Sequence, residues 1–97
     1  MSSYDREIIE KLRRCTNKAY REQGIDLSIV FSKIAAKGSD KISQDELLIA
    51  MSRVSDNIQM KEIKDLHRIV VGASPGSTAG IEDVKVPINE VVQLLTL

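Results

Sequence analysis

The stretch Lys41-Ile-Ser-Gln-Asp-Glu-Leu47 gathers side-chain oxygens of the kind a hard cation prefers. Calcium takes six to eight oxygen ligands, several of them carboxylates. Ser39, Ser43 and Glu46 supply three side-chain donors here, and the Lys41 carbonyl offers a fourth oxygen. Further along, Glu82, Asp83 and Glu90 surround or follow a glycine-rich segment. These six residues are the candidate ligands should calcium bind. Other chemistry finds less support. One histidine (His67) and one cysteine (Cys15) cannot make a zinc set, and no Cys/His couple follows from their spacing. Cys15 has no internal disulfide partner and reads as a structural, buried thiol; His67 reads as a surface or boundary residue. The neighbours Asp45 and Glu46 diverge on a helix, so no general acid–base pair forms. The stretch GASPGSTAG lacks the lysine of a phosphate-binding loop and follows no strand. No catalytic residue is expected, and no cofactor.

Composition narrows the classes further. Ninety-seven residues make one domain, or two very small ones, with enough buried surface for one modest core. Lys plus Arg and Asp plus Glu both number 14, and neither part of the chain is one-sided. With only Tyr4, Tyr20 and Phe31 as aromatics, neither the field nor the stacking platform of a nucleic-acid binder is present. No apolar run approaches the roughly 18 residues of a membrane span. The N-terminal segment lacks a signal-peptide core, which points to a cytoplasmic chain.

Five helical segments must position those oxygens. Residues 4–22 carry Ile8, Leu12, Cys15 and Ala19 on one stripe, with Tyr4 extending it; Ser3 is the expected cap and Gly24 the stop. Residues 26–35 place Leu27, Phe31 and Ile34 on one face. The third helix opens with Ser43-Gln-Asp-Glu46, a capping-box pattern, and continues through Leu47, Ala50, Met51 and Val54. The fourth, residues 60–70, turns Ile63, Leu66, Ile69 and Val70 inward. Three glycines and a proline in VGASPGSTAGIEDVK then mark a flexible loop. Residues 87–95 form a fifth helix opened by Pro87 and burying Val91, Leu94 and Leu95.

This order, with Asp40-Lys-Ile-Ser-Gln-Asp-Glu-Leu47 at its centre, resembles the EF-hand family over about three-quarters of the chain. With Glu46 as the last of 12 loop residues, the loop is 35–46 and its eighth residue is Ile42. The framing positions Leu27, Phe31, Ile34, Leu47, Ala50 and Met51 are then all apolar. The resemblance implies an all-α fold: an EF-hand pair whose loops meet in a short β-bridge between Ile42 and Val86, preceded by an amphipathic N-terminal helix. Residues 1–24 would be that helix and residues 25–97 the pair, with hands at 25–54 and 59–97.

The ligand positions depart from the family. Positions one, three and five are Ala35, Lys37 and Ser39, and position six, normally glycine, is Asp40. Ala35 has no side-chain oxygen and Lys37 brings a cation. In the second hand, counting back from Glu90 and forward from the fourth helix disagree, which makes the connection 71–90 longer than 12 residues. Glu46 is sufficiently explained as a helix cap. The expectation is a noncatalytic, calcium-independent interaction or structural module. It would be a light-chain-like or small subunit of a cytoskeletal assembly, of the ciliary, microtubule or myosin kind, binding protein and no nucleic acid. Its contact residues would be Ile8, Leu12, Leu47, Met51, Met60, Ile63, Leu94 and Leu95. The first helix is free to cover its own groove or a partner. The alternative is a calcium-responsive regulator with an unusual site in the second loop.

Overall fold

The computed structural model describes residues 2–35, 38–72, 80–81 and 83–96. The described residues are mostly helical, with one two-stranded bridge. The order is α1 (Ser3–Gln23), α2 (Leu27–Ile34), β1 (Lys41–Ile42), α3 (Gln44–Val54), α4 (Met60–Val71), β2 (Val86–Pro87) and α5 (Ile88–Thr96).

Local chemistry accounts for the helix limits. The first cap is Ser2, one residue earlier than the expected Ser3: its backbone is extended and its Oγ accepts from the Asp5 N–H at 3.1 Å. Gly24 ends α1 at φ 68°, a left-handed conformation that glycine adopts without a Cβ clash. Asp26 caps α2 through the Ser28 N–H, so the helix starts at Leu27. The capping box of α3 is complete. Ser43 Oγ accepts from Glu46 N–H at 3.2 Å, and Glu46 Oε1 accepts from Ser43 N–H at 3.0 Å. Gly72 closes α4 at φ 89°. Pro87 belongs to β2 instead of opening α5. Its ring fixes a φ that suits a strand end as well as a helix start, and the Lys41↔Pro87 pairing decides between them.

The bridge is antiparallel, with Ile42 opposite Val86. Both side chains are buried, so the two loops meet over the core rather than in solvent. The Ile88 N–H continues the ladder by donating to the Asp40 carbonyl at 2.9 Å. A bridge of two residues per strand cannot stand alone in water. It is held by the helices on either side: α2 packs on α3 and α5, and α3 packs on α4. One core results, with Phe31, Leu47, Met51, Leu66, Val91 and Leu95 fully enclosed.

The open question about the N-terminal helix has a structural answer. α1 lies along α5 and α4 and touches α3, with Ile8, Ile9, Leu12 and Ala19 buried in the common core. Burying a large aliphatic side chain contributes about 1.5–3 kcal/mol. Ile8, Ile9 and Leu12 therefore give a gross attraction of several kcal/mol to the seat. Thr16 is also buried, and its hydroxyl is satisfied by the Leu12 carbonyl at 2.8 Å.

Candidate functional site

The polar chemistry of the molecule is concentrated where α1 meets α4 and α5. Asp5 lies in the first turn of α1 and Arg68 in the last turn of α4, each at the helix end whose dipole favours its charge. They meet in the interior. Arg68 Nη2 donates to Asp5 Oδ1 at 2.6 Å, and Nη1 lies 3.4 Å from Oδ2. Arg68 is 1% exposed and Asp5 6%. Asp65, one turn before Arg68, adds a longer contact at 3.4 Å.

The hydrogen bond from Arg68 is the chief reason that Asp5 titrates below the ordinary aspartate value of 3.8; burial opposes it but loses. The same bond holds the Arg68 guanidinium charged against the cost of its burial. A buried pair of this kind gains little net free energy, because desolvation offsets the attraction, yet it discriminates strongly against losing either member.

Two further contacts pin the helix. Lys11 Nζ reaches Glu62 at 2.8 Å. Burial pushes the Glu62 carboxyl up, but the hydrogen bonds from Lys11 and from the Gln59 backbone outweigh it and leave the group lowered. Arg13 Nε donates to the Leu94 carbonyl at 2.7 Å. That carbonyl lies in the last turn of α5, where main-chain oxygens lack helical partners and a cation is favoured. At the rim, the Tyr4 hydroxyl donates to Asp65 Oδ2 at 3.0 Å, and Lys61 Nζ lies 5.8 Å from the Tyr4 ring centre.

The residue beside Arg68 serves the second loop. His67 is 0% exposed, so its expected surface or boundary position is corrected. Its Nε2 lies 2.7 Å from the Val84 carbonyl, and a carbonyl only accepts, so Nε2 carries the hydrogen. Nδ1 is buried and has no hydrogen-bond partner among the described residues. Adjacent side chains on α4 thus hold the second loop (His67) and the N-terminal helix (Arg68).

The calcium candidates are employed otherwise or lie apart. Ser39 Oγ donates to the Lys41 carbonyl at 3.0 Å and accepts from Lys41 N–H at 3.2 Å, closing a local turn. Ser43 and Glu46 form the α3 cap. Asp83 and Glu90 are exposed, and Glu82 lies outside the described residues, as do Lys37 and most of the expected flexible loop. Among the described residues, no three His, Cys, Asp or Glu side chains converge to hold a metal ion.

The expected contact residues divide. Ile8, Leu12, Leu47, Met51, Ile63 and Leu95 are buried in the chain's own core. Leu94 is half-buried, and Met60 alone among the eight is open to solvent, at 55% exposure. Of the two places open to the first helix, it covers the chain's own groove. Cys15 is half-buried on α1 and not enclosed. It lies at the edge of a polar hollow shared with Lys18, Glu22 and Arg53.

Sequence reading missed Asp5 and Arg68 as a pair. Asp5 stands three residues before Ile8, and Arg68 two after Leu66, each at the margin of an apolar stripe. A charge at a stripe margin is the available signal; the 63-residue separation hides the pairing.

Fold and site define a mostly helical protein: two helix–loop–helix units joined by a buried antiparallel bridge, with a third element, α1, locked across them by charge. No family model, curated protein or solved structure matches the chain. Among the described residues, no helix is long and apolar enough to cross a membrane.

Proposed function

We propose that the chain is a noncatalytic protein-interaction module built as a degenerate EF-hand pair, working without calcium. The observation that carries this reading is the Ile42–Val86 bridge, which joins the loop of α2–α3 to the loop of α4–α5. Paired helix–loop–helix units of the EF-hand kind are joined in this way. The state of Glu46 supports the calcium-independent part. Its carboxylate accepts from the Ser43 N–H, so the family's bidentate ligand position is occupied by a helix cap. A calcium sensor converts ion binding into helix opening. A module without the ion has its state set by internal packing or by a partner. The narrower setting is a light-chain-like or small subunit of a cytoskeletal assembly, of the ciliary, microtubule or myosin kind.

The test is affinity purification of the tagged chain with and without chelator, beside calorimetric titration with calcium. The expected outcome is a partner set unchanged by chelator and no heat at micromolar calcium. Heat abolished by Glu90→Ala would replace this reading with a calcium-responsive regulator using the second loop.

A further inference from the structure

We draw no further inference here: the strongest candidate, the surface groove between α2 and α5 in which Ser28 and Val92 join two neighbouring hollows, carries nothing, because nothing among the described residues shows what covers it.

Discussion

The two helix–loop–helix units differ in what fixes their loops. Between α2 and α3, the order is local. Ser39 closes a turn on Lys41 two residues away, and Ser43 and Glu46 cap α3 across three residues. Between α4 and α5, the described order is tertiary. The Val84 carbonyl is held by His67, 17 residues earlier and inside the core. Arg68, next to that histidine, reaches across to α1. The first loop is therefore secured by hydrogen bonds its own sequence writes. The second depends on α4 being docked, and α4 is also where the N-terminal helix is anchored. One unit is a fixed frame; the other is joined to everything that covers it.

The difference can be broken most severely at Arg68. Arg68→Ala leaves Asp5 buried without its partner and should cost about 3–5 kcal/mol, whereas Arg68→Met in an Asp5→Leu background should recover much of the loss. Denaturant midpoints for the singles and the double check this. The pair also fixes an acid response. The Asp5 pKa is lower in the folded chain than its ordinary 3.8, so its contribution is fully present above that value. It fades as pH falls through 3.8 towards the folded pKa, and Glu62 adds with the same sign. Denaturant midpoints measured between neutral pH and pH 3 should fall less steeply in the double variant than in wild type.

The bridge shared by both units comes next. Ile42→Ala empties a fully buried site and should cost about 2–5 kcal/mol. Amide exchange should then rise on both sides of the bridge, at Ile42 and at Ile88; a rise confined to the first loop would argue that the loops are not coupled.

His67→Leu separates the units more selectively. It removes the donor to Val84 and leaves that carbonyl to water, at a cost of about 1–1.5 kcal/mol. Amide protection in the second loop should fall while the α3 cap stays protected. The smallest effect belongs to the first loop alone. Ser43→Ala removes one half of the capping box and should cost about 1 kcal/mol, with exchange rising only in the first turn of α3.

The first unit was largely legible in the amino-acid sequence for the reason that its predictions are small and local. Ser43-Gln-Asp-Glu46 announces a capping box because the partners are three residues apart. Gly24 announces a helix end, because its left-handed φ is costly for other residues. The apolar stripes at Leu27 and Phe31, and at Leu47, Ala50 and Met51, mark inward faces because helical period alone decides them. The second unit was legible only in outline. Counting back from Glu90 makes Val86 the partner of Ile42, but the sequence puts His67 at the surface or boundary, since nothing in Leu66-His-Arg68 says that a carbonyl 17 residues later turns towards the ring.

By itself, then, the sequence determined roughly where the helices run, the α3 cap, the Gly24 stop and most of the faces they bury, all consequences of interactions within about four residues. Which face received α1 was decided only in three dimensions. So were the meeting of Asp5 with Arg68 and the burial of His67. Each depends on chain segments far apart in sequence being brought together by a core. Burial then turns ordinary charged and polar residues into specific contacts, because charge or hydrogen-bonding capacity removed from water must be answered by a partner.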